Sequence, residues 1–375
     1  MIDSIDIRKY RNLDELRINS LARVNLIIGK NNTGKSTLLE AIALFVTKCD
    51  LGNLLQLLKA RGEIFNQIPN SINFTDTNLK TLSSLFFNRI IGFEQTDAIT
   101  IGTVENTLVE EQRNPEASIT LRFVKYKDEH NAPTEFEIFP KRTVIENTSR
   151  LGIYKLGLEI RTGEYPYIIP LEADSILRSF GSSSSYGRIE NFLFISTRNI
   201  DREINGQLWD KITLTEKEQF VIDALKIIEP QAERIAFIEE GGKRSAVIKL
   251  FNNSNIFPLL SMGDGINRIF TIILALVNSE NGYLLIDEFE NGLHHSVQEK
   301  LWEIIFNLAN KLNIQIFATT HSEDCISGFQ NILNSPNSNL EGKLIRLDSI
   351  NGKIKEVEFN KEELKIATDQ NIDIR

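Results

Sequence analysis

Residues 29–37 read GKNNTGKST, between an apolar stretch, VNLII, and TLLEAIALF, whose Ala, Leu and Ile share one face of a helix. The nonamer fits G-x-x-x-x-G-K-[ST] with Gly29, Gly34, Lys35 and Ser36 in register. Glycine reaches backbone conformations closed to other residues. Successive N–H groups can therefore turn inward onto phosphate oxygens, with Asn31, Asn32, Thr33 and Thr37 completing the loop. Lys35 brings a positive charge to β- and γ-phosphates, and the Ser36 hydroxyl reaches Mg2+. A chance match in a chain this long is on the order of one in a hundred. A strand that feeds such a loop and then a helix needs a parallel α/β sheet behind it.

The rest of the chain supplies that sheet. YLLID (Tyr283 to Asp287) and IQIFATT (Ile314 to Thr320) read as buried strands, separated by an amphipathic helix over Ser296 to Leu312. A further apolar strand, FLFIS, begins at Phe192. KLIRLDSI and GKIKEVEF form a closing hairpin around Asn351-Gly352. The two opening strands, Ile2 to Ile7 and Val24 to Ile28, are joined by a polar segment. Thr215 and Glu218 have capping-box spacing ahead of a helix whose apolar face includes Phe220, Ile222, Ala224, Leu225 and Ile228. Between residues 50 and 190 the pattern is less regular. LGNLLQLLKA and LKTLSSLFFNRI are helical, AITIGTV, SITLRFVKY and TEFEIF alternate as antiparallel strands do, and SSSS at 182–185 reads as a loop.

Composition narrows the setting. The length predicts one to three units. No long apolar run offers a membrane span and the charged N-terminus lacks a signal-peptide core, so a cytoplasmic protein without membrane contact is expected. Two cysteines, Cys49 and Cys325, are too few for a disulfide framework or a zinc cluster. A net charge of −9 argues against a blanket of positive charge and leaves nucleic acid open but unsupported.

Two groups of residues follow from the phosphate loop. Asp287 ends a buried strand, placed to meet Mg2+ or a water bound to it, and the adjacent Glu288 is placed to orient and polarise an attacking water. Without the loop upstream, a solvated turn or helix cap would explain both acids. His321 ends the other buried strand, at the sheet edge where ligands of open α/β folds bind. It reads either as a contact to the γ-phosphate or attacking water, or as a packing residue. His294 and His295 lack metal-pair spacing and suit a structural or interface role. SMGDG at 261–265 reads as a turn opening a helix over Ile266 to Val277.

GKNNTGKST, SMGDG, LLIDEFENGLH and ATTHS, in that order, resemble the ABC-type ATPase heads of the RecF, structural-maintenance-of-chromosomes (SMC) and OLD (overcoming lysogenization defect) proteins, particularly stand-alone OLD-like ATPases. The likeness extends more weakly through FISTRNIDREINGQLWDKI and the C-terminal strands. It implies an α/β P-loop NTPase of ABC-ATPase type with an N-terminal mixed β lobe and a helical/β insertion. The implied parts are 1–50 with the phosphate loop, 51–190 as the insertion, 191–350 as the second part of the ATPase domain, and 351–375 as a terminal strand and tail. ATP and Mg2+ are the implied ligands. Lys35, Glu288 and His321 are the implied catalytic residues, with Ser36 and Asp287 on the metal. Ser261, Gly263 and Gly265 match the signature that binds ATP held by a second head, although Met262 and Asp264 depart from the transporter form. Asn291 to Leu293 matches the loop that crosses between subunits, and Gln95 is a positional candidate for the glutamine linking the nucleotide to the helical lobe.

The resemblance therefore implies a homodimer closed around ATP, with higher assemblies open. Neither a coiled-coil arm nor a TOPRIM nuclease is visible in the sequence. The expected function is an ATP-hydrolysing switch for a separately encoded nuclease or other effector, in anti-phage defence. The alternative is a RecF-like DNA-repair or chromosome-associated clamp, to which Arg8, Lys9 and Arg11 would contribute a basic strip. A nucleotide-stabilised scaffold is disfavoured by Glu288, and a transporter ATPase or a kinase by the signature.

Overall fold

The chain opens with a hairpin, β1 (Ile5–Tyr10) and β2 (Leu13–Ile18), followed by β3 (Val24–Gly29). The sequence pattern predicts a polar connection where β2 lies. Its charges hide the strand: Arg8 stands opposite Glu15 and Asp6 opposite Arg17, while Leu13, Leu16 and Ile18 are buried. Opposite charges facing across an antiparallel pair support it. The computed structural model describes residues 1–63, 74–105, 117–129, 142–146, 154–163, 166–172, 191–196, 202–240, 243–251, 253, 255–335, 340–370 and 374. TEFEIF and the serine loop at 182–185 lie outside these residues.

After β3 come α1 (Lys35–Val46), α2 (Leu51–Ala60) and α3 (Phe74–Ser83). Then β4 (Ile99–Gly102), β5 (Ser118–Asp128), β6 (Arg142–Val144), β7 (Lys155–Thr162) and β8 (Tyr167–Pro170) join the opening hairpin. They form an antiparallel sheet in the order β2-β1-β4-β5-β7-β8, with β6 against β5.

The second half contains β9 (Phe192–Ile195), α4 (Arg202–Ile212), α5 (Glu216–Ile228) and a small antiparallel sheet of β10 (Ala232–Glu240), β11 (Lys243–Leu250) and β12 (Ile256–Pro258). These are followed by α6 (Asp264–Asn278), β13 (Tyr283–Ile286), α7 (His295–Lys311), β14 (Gln315–Thr319) and α8 (Glu323–Leu333). The last elements are β15 (Gly342–Ile350), β16 (Lys353–Phe359) and α9 (Lys361–Asp369). Ahead of α5, the Thr215 hydroxyl accepts from Lys217 N. Glu218 reaches Leu214 N rather than the cap's own N–H, so the reciprocal box implied by the spacing is not closed.

A six-stranded sheet ordered β16-β15-β3-β14-β13-β9 runs through the molecule. Neighbours from β15 to β9 are parallel, and β16 folds back antiparallel through Asn351 and Gly352, both with positive φ, as an Asn-Gly hairpin requires. Its central strands are mostly apolar because both faces are covered, with Asn25, Gln315 and Thr319 as buried polar exceptions. Ile27, Leu285 and Phe317 point into a core shared with α1 and the antiparallel sheet. Leu26, Ile28, Leu284, Ile286, Ile316 and Ala318 point into a second core formed with α4 to α8. The C-terminal ends of β3, β13 and β14 consequently emerge side by side, at one edge of a rigid partition.

Candidate nucleotide site

The loop leaving β3 is shaped by its own hydrogen bonds. The Thr33 hydroxyl donates to Lys30 O at 2.8 Å, and Asn32 and Gly34 both take positive φ. Gly34 is the N-cap of α1, with φ 88° and ψ 13°, a left-handed conformation suited to glycine. A Cβ there would also lie 2.9 Å from Ile354 Cδ1. No side chain caps α1 and no acid stands in its first turn. Its first N–H groups and the positive end of its dipole are therefore turned to the loop, the arrangement that binds anions.

Lys35 is only 6% exposed. Its Nζ donates to Gly29 O at 2.7 Å and Lys30 O at 2.8 Å. Burial pushes its pKa down to about 8, against the opposing pull of Asp287, Glu290 and Glu288. Asp287 Oδ1 accepts from Ser36 Oγ at 3.0 Å and from Thr319 Oγ1 at 2.7 Å. Three oxygens from α1, β14 and the end of β13 thus meet at one point. A hydroxyl and a carboxylate suit Mg2+, which prefers few protein oxygens, phosphate and water. Among the described residues no group of three or more His, Cys, Asp or Glu could hold a metal such as zinc.

Glu288 has φ 48°, a left-handed backbone costing about 1–3 kcal/mol in a residue with a side chain. The surroundings impose it. Glu288 N donates to Thr319 Oγ1 at 2.8 Å, Phe289 N donates to Thr319 O at 2.9 Å, and Phe289 stacks on Trp302 with ring centroids 4.2 Å apart. From the other side, Arg268 Nη2 donates to the carbonyls of Asp287 and Glu288, at 3.1 and 3.3 Å. Glu288 and His321 then line a cleft of about 870 Å3 together with Asn31, Asn32 and the Gly34–Lys35–Ser36–Thr37 run. Thr33 is buried within the loop beside it.

Several residues in and beside this cleft are not apparent from the sequence pattern. Glu290 holds the third strand end in place by accepting from His321 N at 2.6 Å and from the Thr320 hydroxyl at 2.7 Å. Its position two residues beyond Glu288 was the available signal. The opposite wall contains Arg11 and Arg61, both ion-paired to Glu40 of α1, at 2.8 and 2.7 Å. Arg11 also meets Glu63 at 3.1 Å. The expected basic strip is therefore locally neutralised: Arg11 is buried among acids, Arg8 pairs with Asp6 and Lys9 with Asp14. Gln95 lines a separate polar groove with Arg8 and Arg122, away from the phosphate loop.

Ser261, Gly263 and Gly265 are not among the residues lining their own chain's cleft. Ser261 Oγ donates to Pro258 O at 2.7 Å, and Gly263, the N-cap of α6, has φ 101° and ψ 157°. His294 caps α7 by accepting from Ser296 N, and its ring lies tilted against that of His295 with centroids 4.0 Å apart. Both cysteines are free and buried. Among the described residues no helix is long and apolar enough to cross a membrane.

Residues 1–149 match a family model described as "AAA ATPase domain", and residues 180–324 one described as "AAA domain, putative AbiEii toxin, Type IV TA system". A Helicobacter pylori protein named "ATP/GTP phosphatase" is 24% identical over 344 residues, covering 87% of this chain and 86% of that one. An uncharacterized Methanocaldococcus jannaschii protein is 33% identical over 84 residues, 22% of this chain and 72% of its own length. Among solved structures, an Smc head bound to the C-winged helix domain of ScpA superposes with a TM-score of 0.51 at 12% identity, over 97% of this chain and 99% of that one.

Proposed function

We propose that this chain, an ATPase with the fold of an SMC-type ABC head, works as half of an ATP-gated clamp. One observation carries the reading. The phosphate loop with Ser36, Glu288 and His321 lines one cleft, with Asp287 hydrogen-bonded to Ser36, while Ser261, Gly263 and Gly265 stand outside it, Ser261 and Gly263 exposed. The chain thus holds a complete cradle and an unattached half-site, which two copies related by two-fold symmetry satisfy together.

In this reading Lys35 and the N–H groups at the start of α1 hold the β- and γ-phosphates. Ser36 and Asp287 hold Mg2+, which when bound neutralises charge on the phosphate oxygens. Glu288 orients a water and takes its proton as the water oxygen bonds to the γ-phosphorus. The bond to the bridging oxygen breaks, and ADP leaves with that oxygen's electron pair. His321 contacts the γ-phosphate or that water, and Ser261 with Gly263 and Gly265 arrives from the partner. Binding closes the pair and hydrolysis releases it. The name of the Helicobacter pylori relative supports triphosphate hydrolysis. That Smc head is bound to the C-winged helix domain of ScpA, which supports a clamp with a protein partner. Arg8, Lys9 and Arg11 each pair with an acid, so a DNA contact through them would have to exchange that partner for a phosphate.

Glu288→Gln should slow hydrolysis by about 10²–10⁴-fold, the usual worth of a general base, and give a longer-lived dimer with ATP and Mg2+ in light scattering. Ser261→Arg should bind ATP normally and remain monomeric. Normal pairing by that variant would overturn the two-site arrangement. A second reading, control of a separate nuclease or other effector in defence, is favoured by the toxin–antitoxin description of the 180–324 match. Affinity isolation of Glu288→Gln with ATP separates the two: duplex DNA favours the clamp, a co-purifying nuclease the switch.

A further inference from the structure

Arg268 is 1% exposed, and hydrophobic packing does not account for it. Nη2 donates to the Asp287 and Glu288 carbonyls, while Nε and Nη1 are buried with no hydrogen-bond partner among the described residues. Burial pushes the guanidinium pKa down, and Asp287, Glu288 and Glu290 pull it back. A buried cation with idle donors is costly, and an apolar side chain of similar volume often serves stability as well or better. What Arg268 does provide is a rigid link. It lies one turn beyond Asp264, on the helix that starts at Gly263, and grips the peptide that carries Glu288 in a left-handed conformation. The first turn of that helix also lies against the loop after the acids, since a Cβ on Gly265 would come within 3.1 Å of Gly292 O.

We infer that Arg268 is a positioning residue that ties Glu288 to the 261–265 helix start of its own chain, so that the hydrolytic carboxylate of one site answers to the ATP contact made at the other. The inference rests on the ATP-bridged pair proposed above. In that pair Ser261 and Gly263 touch the partner's ATP, whereas Glu288 faces the chain's own. A shift of α6 as a body, on the scale of 1–2 Å typical of packed helices, reaches Glu288 through the two carbonyls that Arg268 grips. The idle Nε and Nη1 donors give the guanidinium a second set of bonds to make as the helix moves.

The test uses full-length mixed dimers in which one site is silenced by Glu288→Gln. With Arg268→Met in the chain that keeps Glu288, kcat at the live site should fall about 10- to 100-fold, as a misplacement near 1 Å produces. KM and ATP-dependent pairing should stay within about twofold of wild type, and Arg268→Lys should recover part of the rate. With Arg268→Met moved to the silenced chain, whose helix start now serves the live site, the rate should stay near wild type. Adding Ser261→Ala to the Glu288-bearing chain should slow the live site when Arg268 is present and add nothing when it is Met, a non-additive cycle. A loss that follows the variant into the silenced chain, or an additive cycle, overturns the inference and leaves the clamp standing. A wild-type chain that stays monomeric with ATP takes down both.

Discussion

Gly34 and Gly263 occupy equivalent local positions. Each has positive φ, each is the N-cap of a helix, and neither helix has a side-chain cap. Around Gly34 the chain closes in: Ile354 and Leu13 crowd its α-carbon, Lys35 folds over the loop, and Asp287 reaches Ser36. Around Gly263 nothing lies within 4 Å of where a Cβ would sit. Its conformation alone demands glycine, and among the described residues no side chain caps the helix it opens. One helix start opened by a positive-φ glycine, with ψ 13°, can thus be a finished site while another, with ψ 157°, is in the proposed pair half of one. The difference lies in what the rest of the fold brings alongside.

The comparison can be broken most forcefully at Lys35. Lys35→Ala should weaken ATP binding by roughly 10²-fold or more, the usual effect of removing one partner from a buried charge contact, as read by calorimetry. A variant that still bound ATP at wild-type strength would mean that the loop around Gly34 is not a finished site. The matched glycine variants come next. Gly34→Ala and Gly263→Ala should each cost about 1–3 kcal/mol of stability in denaturant melts, because both backbones strain a side-chain residue. Gly34→Ala should also lose ATP binding, whereas Gly263→Ala should bind ATP as a monomer and pair poorly. Identical behaviour would erase the distinction between site and half-site.

The smallest effect is one of pH. Lys35 carries its proton below about 8 and loses it above, and a triphosphate favours the charged form. ATP affinity should therefore hold up to about pH 8, then fall by at most about tenfold per unit, with proton uptake on binding visible in buffers of different ionisation enthalpy. Lys35→Arg, which stays charged at these pH values, should flatten that profile if it still binds. An equal pH dependence in both proteins would assign the titration elsewhere.

Much of the site is legible in the amino-acid sequence. GKNNTGKST, the strand ending at Asp287, the strand running into His321 and the Asn351-Gly352 turn are local patterns, in which neighbouring residues fix one another's backbone. What escapes a linear reading is relational. β2 is concealed because its charges are answered from across the hairpin, and the basic residues of the first strand promise a surface that Asp6, Asp14, Glu40 and Glu63 neutralise. Thr319 and Glu290 sit inside motifs that give them no role of their own, and Arg268 belongs to none. Each matters through a hydrogen bond to a strand end some 20 to 30 residues away in sequence.

The sequence by itself therefore determined the chemistry: a phosphate loop, a carboxylate pair and a histidine at the ends of buried strands. The tertiary structure alone decided that these groups meet at one cleft, that Glu288 is clamped from two sides, and that the 261–265 helix start is left unattached. The physical reason is one of range. Backbone preference and hydrophobic period act over a few residues, whereas desolvation, ion pairing and hydrogen-bond satisfaction depend on which segments packing places side by side.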